Sequence, residues 1–413
     1  MSQKQWKRLD VLERNQQGQL TNHEAAQVLG ISRRHLGRLR RAFGRKGREV
    51  AIHGNTGRRP ANRVSDSIRA RVLKLWRKYV RFNDTHFTEK LVEVEGVKIS
   101  RRSVARILRA AGVSPARRRR RGQKHRKRRD RKPQAGMMIL WDGSRHAWLE
   151  DRGPLLCLMA AVDDATGELL PGAHFVEQEC SAGYLQVLLA ICREKGIPLS
   201  GYMDRHGSLR RNDDHWTLEE ELRGLQDPTH VGRALAALEI EAIFALSPQA
   251  KGRVERLWGT LQDRLVSELR LAGARTVEEA NALLKWFRPD YNARFARPPL
   301  EVQPAWRKVR KGLDLDRICS FYYEATVQND NTVRLQGTVI DIPPGPGGRG
   351  YARARAEVRQ LLEGAWRVYY RDELIATAAS TAVGELRAAK RRKRPAASRV
   401  FRRLIQEVGA SLP

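Results

Sequence analysis

The chain has 413 residues, 41% of them hydrophobic, and a formal net charge of +33. Length alone allows roughly two to four domains, and the charge excludes an ordinary small-molecule enzyme in favour of a polyanionic partner, nucleic acid being the commonest. No apolar run approaches the roughly 18 residues of a spanning helix, and the N-terminus is polar without a secretory pattern, so a cytoplasmic protein with no membrane partner is expected.

Residues 4–18 place Trp6, Leu9, Val11 and Leu12 at helical spacing. Thr21 with Glu24 three residues on is a capping box that starts a second helix, which stops at Gly30. A third helix, Arg33 to Phe43, carries Arg33, Arg34, Arg38, Arg40 and Arg41 beside Leu36, Leu39 and Phe43. A short helix, a glycine-bearing turn and a basic helix make a helix-turn-helix pattern, with the last helix as the expected DNA reader. The plain alternative is a three-helix bundle with a solvated arginine face. Gly44 to Asn62 reads as a linker. Helical spacing resumes at Ser65 and leads through a second trihelical pattern to another basic helix, with Arg101, Arg102 and Arg106.

Arg117 to Pro133 is almost continuous Lys and Arg, including Arg118, Arg119, Arg120, Lys124 and Arg128. Such a run is expected to be extended when free and to track a nucleic-acid backbone. Each phosphate neutralised adds about 0.9 to the log–log salt slope without adding sequence information.

Composition changes at Met137. Strand-like runs end at Asp142, at Val162 and at Met203, the last followed by Asp204; a third strand is predicted over Leu169 to Glu177. Ser181 to Lys195 and Val231 to Leu238 read as helices, and Ile240 to Leu246 as a buried fifth strand. The order predicts a mixed five-stranded sheet with helices packed on it, with a charged excursion over 206–226. A helix with Val254, Leu257, Leu261 and Leu265 follows, and another from Thr276 to Phe287. From Ile318 the period changes to two, and five short strands predict a small barrel. The tail from Leu386 is basic, with one helical pattern over Ser398 to Val408. Cys157, Cys180, Cys192 and Cys319 are widely spaced and form no C-x-x-C pair, which predicts reduced thiols and gives no support for structural zinc.

The chemistry-bearing residues are Asp142, Asp204 and Glu255. The first two end apolar strands 62 residues apart, and Glu255 lies 51 residues beyond Asp204, as the only acid between Glu241 and Asp263. Strand ends at one sheet edge are where open α/β folds place ligands. Gathered there, three carboxylates repel by very roughly 4 kcal/mol per close pair, and Mg²⁺, which prefers hard oxygen ligands, offsets this. Two such ions suit an in-line phosphoryl displacement, first by water and then by a DNA 3′-hydroxyl. Each acid alone also has a bland reading: a strand-end Asp is often a cap, and Glu255 lies four residues from Lys251, within ion-pair reach. Asp163 and Asp164, in Asp-Ala-Thr-Gly, read as a hairpin turn. His206 follows Asp204 closely and is expected to shape the site; as a Mg²⁺ ligand it is the weaker reading, since Mg²⁺ disfavours imidazole, and Lys251 and Arg253 are expected phosphate contacts.

Trp-Asp-Gly-Ser (141–144), Val-Asp-Asp-Ala-Thr-Gly (162–167), Met-Asp-Arg-His-Gly-Ser (203–208) and Ser-Pro-Gln-Ala-Lys-Gly-Arg-Val-Glu-Arg (247–256) together resemble the integrase catalytic core of bacterial insertion-sequence transposases. The group is ISNCY-like and related to the retroviral integrase superfamily; Tyr291-Asn292 with Arg297-Pro298 resembles the motif that closes the core. The resemblance covers residues 135–310 and the general layout of the N-terminal helices. It implies an RNase H-like fold, a DDE triad falling on Asp142, Asp204 and Glu255, and two Mg²⁺ ions for which Mn²⁺ can substitute. Implied partners are double-stranded DNA, both terminal inverted repeats and target, and a homodimer or higher oligomer on it, in a nucleoid-associated protein of the bacterial cytoplasm. The interval between the second and third acids is longer than in many relatives, and the histidine–cysteine zinc unit of retroviral integrases is missing.

The expected architecture is therefore multidomain. It runs as a helix-turn-helix unit (1–48), a linker (49–64), a second such unit (65–115), a basic linker (116–134), an α/β core (135–310), a small β-barrel (316–380) and a basic tail (381–413). A catalytically silent DNA-binding regulator and a metal nuclease without strand transfer are the rival readings. Charge-driven packing of DNA leaves the ordered α/β core unexplained.

Overall fold

The computed structural model describes residues 2–52, 55–56, 63–115, 129–211, 216–245 and 252–386, without the side chains of residues 219, 252 and 253. Arg118, Arg119, Arg120, Lys124, Arg128, Lys251 and the helical pattern over 398–408 lie outside the described residues, as does the Arg253 side chain. The chain divides into two compact units, Met1–Lys74 with Arg102–Ala111, and Leu75–Arg101 with Gly112–Pro413.

In the first unit, α1 (Gln3–Gln16), α2 (Asn22–Leu29) and α3 (Arg33–Lys46) pack around Val11, Leu12, Ala25, Ala26 and Leu36. The Thr21 capping box forms as expected: its hydroxyl accepts from the Glu24 N–H while Glu24 reaches back to the Thr21 N–H, 2.8 Å away. Arg33, Arg34, Arg38 and Arg41 are exposed along α3. Trp6 departs from expectation: it lies on α1 but is 59% exposed, outside the core. The ordered chain also runs past the expected linker start at Gly44. A 3-10 turn over Gly47–Ala51 follows α3, because Val50 and buried Ala51 still have core to cover. The same unit holds most of α4 (Asp66–Trp76) and α6 (Arg101–Ala110), which buries Val104, Ile107 and Leu108 and exposes Arg101, Arg102 and Arg106.

The second unit is built on a mixed five-stranded sheet of order β3-β2-β1-β4-β5. Its strands are β1 (Ile139–His146), β2 (Leu156–Asp163), β3 (His174–Val176), β4 (Ser200–Met203) and β5 (Glu241–Phe244). β1 pairs antiparallel with β2, and β2 with β3; β1, β4 and β5 run parallel. This topology fits the RNase H-like core expected from the sequence. Alternation along the strands divides two cores. Leu140, Leu156, Leu158, Ala160 and Val162 face α10 (Gly252–Ala272) and α11 (Val277–Phe295). Ile139, Trp141, Cys157, Met159 and Ala161 face α7 (Ser181–Glu194) and α9 (His230–Ala237). Burial on both faces explains why β2 is apolar at nearly every position.

Several elements differ from the sequence reading. β3 is three residues long, because Pro171 lacks an N–H for the ladder and Gly172 turns the chain at φ +79°. β5 is an edge strand, with Glu241 and Ala242 exposed, rather than a buried one. The 206–226 excursion carries a short helix, α8 (Leu218–Arg223), and α11 continues through Pro289 to Phe295. The end of the basic run is packed: Arg129 donates to Asp164 Oδ1 at 2.7 Å and Lys132 N to Oδ2 at 2.8 Å, because that buried carboxylate requires donors.

After α12 (Leu315–Ile318), the expected barrel is instead two sheets among the described residues. β6 (Phe321–Thr326), β9 (Arg355–Gln360), β10 (Trp366–Tyr370) and β11 (Glu373–Ala378) form an antiparallel sheet of order β11-β10-β9-β6. β7 (Thr332–Leu335) and β8 (Thr338–Asp341) form a separate hairpin. The two share a core through Val333, Ile340, Val358 and Trp366, but the Pro- and Gly-rich stretch 343–350 between β8 and β9 offers little regular ladder for closure.

Within the second unit, α5 (Asp84–Glu93) docks on α10 and α11 through polar contacts. Asn83 donates to Asp263 at 2.6 Å, Arg264 forks onto Glu89 at 2.6 and 2.9 Å, and Arg294 forks onto Glu93 at 2.9 and 2.7 Å. His86 and Lys90 both reach Glu268, at 2.6 and 2.7 Å. Burial alone would raise the Glu268 carboxyl, but the hydrogen bonds from His86 and Lys90 outweigh it and hold its pKa below the usual range. Glu268→Ala leaves Lys90 and His86 without this partner, and the urea midpoint should report a loss of about 3 kcal/mol.

Glu150 is a second hub, accepting from Arg270 at 2.8 Å twice and from Arg152 at 2.7 Å. Arg270 first, and Arg152 after it, hold its carboxyl down to about 2, from an ordinary 4.5. The folded-state pKa is depressed, so its stabilisation is complete above pH 4.5 and is lost as pH falls towards 2. Urea titrations should show Glu150→Gln less stable than the parent by on the order of 2 kcal/mol at pH 7, after solvent screening, with the gap narrowing below pH 4.

Candidate active site

The parallel pairing of β1 with β4 sets Ile139 against Gly201 and Leu140 against Tyr202. Carrying that register two residues on sets Asp142 beside Asp204, which directly follows β4; β1 itself does not end at Asp142, as the sequence suggested, but runs on to His146, because its pairing with β2 continues. Both aspartates share the strand phase of Leu140 and Tyr202, which face the α10–α11 core. Side chains in that phase project to one side of the sheet, so the two carboxylates are directed to the α10 face.

α10 answers from that side. Trp258, 7% exposed, donates its indole N–H to Asp142 Oδ2 at 3.1 Å. Glu255 lies in the first turn of α10, three residues before Trp258 and exposed. Residues three apart on a helix are neighbours on its surface, so Glu255 stands one turn from the side chain that touches Asp142. Asp204 is held by its own loop, its Oδ1 accepting the His206 N–H at 2.9 Å. Among the described residues, no three His, Cys, Asp or Glu side chains lie close enough to hold one metal ion between them. The structure thus aligns the two aspartates and brings the helix of Glu255 to them without closing the triad.

A carboxylate the sequence did not single out completes the surroundings. Glu179, just before α7, accepts the Tyr184 hydroxyl at 2.5 Å, and His206 Nδ1 lies 3.4 Å from the same oxygen. Burial pushes the Glu179 carboxyl up, and the charges of Asp142 and Asp204 push it the same way, against the pull of Tyr184 and His206. Burial, then the charge of Glu179, drives the Tyr184 phenol far above its ordinary value, so it remains a donor. Cys157, beneath the site, is pushed up to about 12 by burial, with Glu179 and Asp142 adding to it, and is an inert thiol. The signal for Glu179 was Gly143, the glycine after the first acid, which lets another group approach the strand there. Trp258 was visible in the sequence as part of the α10 stretch, but nothing local gave it a partner.

Asp163 and Asp164 are structural. Asp163 Oδ1 accepts from the Thr166 N–H and hydroxyl, at 2.8 and 3.0 Å, and Oδ2 from Gly136 N at 2.7 Å. Asp163 thus serves the turn, as the hairpin reading expected, and also holds Gly136, whereas the Asp164 carboxyl holds Arg129 and Lys132 of the chain entering the sheet, which that reading did not foresee. The four cysteines are free thiols, with Cys157, Cys192 and Cys319 buried.

The Trp258 contact is testable alone. Trp258→Phe keeps an aromatic ring in the core and removes the donor to Asp142, and denaturant unfolding should show a loss of about 2 kcal/mol, as for a hydrogen bond to a charged group.

No family model matches the chain. A protein named as a transposase, y4bF of Sinorhizobium fredii, is 36% identical over 300 residues, which cover 72% of this chain and 64% of y4bF. The transposase for insertion sequence IS1202 of Streptococcus pneumoniae is 31% identical over 410 residues, covering 87% of this chain and 84% of that protein. Among solved structures, an intasome of simian T-cell lymphotropic virus in complex with a PP2A regulatory subunit aligns at 15% identity and TM-score 0.31, over 75% of this chain and 100% of the other. The HTLV-2 integrase catalytic core domain in complex with magnesium aligns at 16% identity and TM-score 0.26, over 37% of this chain and 86% of the other. The length and identity of the match to the IS1202 protein decide the assignment: the chain belongs to the transposases of bacterial insertion sequences.

Proposed function

We propose that the chain binds the terminal inverted repeats of its own element, hydrolyses the strand at each 3′ end and joins the freed 3′-hydroxyls to target DNA. The observation that supports this reading is the register of β1 and β4, which, extended two residues, sets Asp142 beside Asp204, together with the Trp258 hydrogen bond that ties Asp142 to the helix carrying Glu255. Carboxylate oxygens on two adjacent strands, with a third carboxylate on the helix bonded to the first, are the hard donors that suit a divalent cation. Asp142, Asp204 and Glu255 are the residues to hold it. When bound, Mg²⁺ supplies a lowered pKa for the attacking hydroxyl and charge neutralisation at the leaving 3′ oxygen.

The chain's own residues perform the rest. Trp258 fixes the rotamer of Asp142, and the His206 N–H that of Asp204, so neither carboxylate has to be ordered when DNA arrives. Exposed Arg33, Arg34, Arg38 and Arg41 on α3, and Arg101, Arg102 and Arg106 on α6, suit phosphate and base edges. The basic run with Arg118, Arg119, Arg120, Lys124 and Arg128, together with Lys251 and Arg253, adds backbone contacts by its charge. Two ends must be joined in one event, so a dimer or larger assembly on DNA follows.

The test is nicking and joining of a labelled DNA fragment bearing the element's end. Asp142→Asn, Asp204→Asn and Glu255→Gln should each lower both steps by about 10³-fold or more, some 4 kcal/mol of barrier, while gel-shift affinity is kept. Equal nicking by parent and variants would sink the triad. Tight binding without nicking by the parent, with both ends supplied, would favour a regulator, and nicking without joining a nuclease.

A further inference from the structure

We propose that Glu179 is a positioning residue of the acidic site, a brace that ties the strand carrying Asp142 to the loop carrying Asp204 and so sets how the two carboxylates stand to each other. This rests on the reading of those aspartates as the site for a divalent cation.

The brace is a continuous set of contacts. On one side Glu179 lies against the residue next to Asp142: a Cβ built on Gly143 would sit 2.8 Å from Glu179 Cδ and Oε2, so any larger residue there would push the carboxyl end of Glu179 aside. On the other side His206 Nδ1, in the tautomer that carries its proton, faces Glu179 Oε1 at 3.4 Å. The backbone of that same His206 holds Asp204 Oδ1. Underneath, Tyr184 donates to Glu179 Oε1 and packs edge-on against Trp141 at 5.2 Å between ring centroids, directly before Asp142. Tyr184 and Trp141 are both fully buried, so the hydroxyl is aimed by the α7-side core rather than by solvent.

Glu179 approaches from the opposite face of the sheet to α10. Asp142 and Asp204 share the phase of the α10-side residues, whereas Gly143, one residue on, takes the phase of Trp141 and Met203 on the α7 side. A short polar link would stabilise a loop equally well. The arrangement matches the outer partners of metal-binding carboxylates, whose loss typically weakens metal affinity by about 10–100-fold.

The test titrates Mn²⁺ into the full-length protein bound to its end DNA, reading free Mn²⁺ by electron paramagnetic resonance, with thermal unfolding alongside. Glu179→Gln should weaken Mn²⁺ binding about tenfold, and Tyr184→Phe, which breaks the brace but keeps the carboxylate, should shift it in the same direction, with unfolding temperatures close to the parent's. Asp142→Asn, as control, should abolish the binding. Should Asp142→Asn do so while Glu179→Gln changes nothing, the brace is wrong and the site stands. If Glu179→Gln weakens binding and Tyr184→Phe leaves it unchanged, Glu179 is a ligand and not a brace. Indifference of Mn²⁺ binding to Asp142→Asn would remove the site and the brace together. If Glu179→Gln does not fold, Tyr184→Phe decides the matter alone.

Discussion

The parallel pairing of β1 and β4 is the constraint on which the site depends. Side chains alternate across a sheet, so a slip of one residue in that register would send one aspartate into the α7 core and leave the other on the α10 face. Both faces are filled with apolar side chains, which makes such a slip costly along the whole strand. Leu140 and Trp141 cannot exchange environments without exposing one core and overfilling the other. The alignment of two like charges is therefore maintained by hydrophobic packing, not by any attraction between the acids.

The elements around that edge divide the work. α10 contributes Trp258 and the first-turn position of Glu255 while burying Leu261, Leu265 and Leu269 against the sheet, so the helix cannot shift without uncovering its apolar face. α7 contributes Tyr184 from the other core. The site is thus gripped from both layers, and its polar groups stand on side chains whose own positions are set by packing.

Charge is used in two distinct ways. On α3 and α6 the arginines are exposed, in keeping with a polyanion as partner. In the second unit, arginines are consumed internally: Arg264, Arg270 and Arg294 dock α5 and the loop at Glu150 onto the long helices α10 and α11. Net charge from the sequence could not distinguish these uses, because Arg–carboxylate forks between residues more than 100 positions apart leave no local pattern.

What the sequence determined by itself was whatever is encoded by local period and local capping. Thr21 with Glu24 announced a helix start, the unbroken apolar run up to Val162 announced a strand, and acids at the ends of apolar runs announced a site on the sheet. These signals survive because helix and strand types depend on neighbours within a few residues. Only the tertiary structure decided that β5 is an exposed edge, that the C-terminal strands stay as two sheets, that Asp164 is buried and arginine-bound, that Trp258 reaches Asp142 and that Glu179 lies against Gly143. Each of those turns on which residues far apart in sequence share a face or a register, and that is settled when the whole core packs rather than by any segment alone.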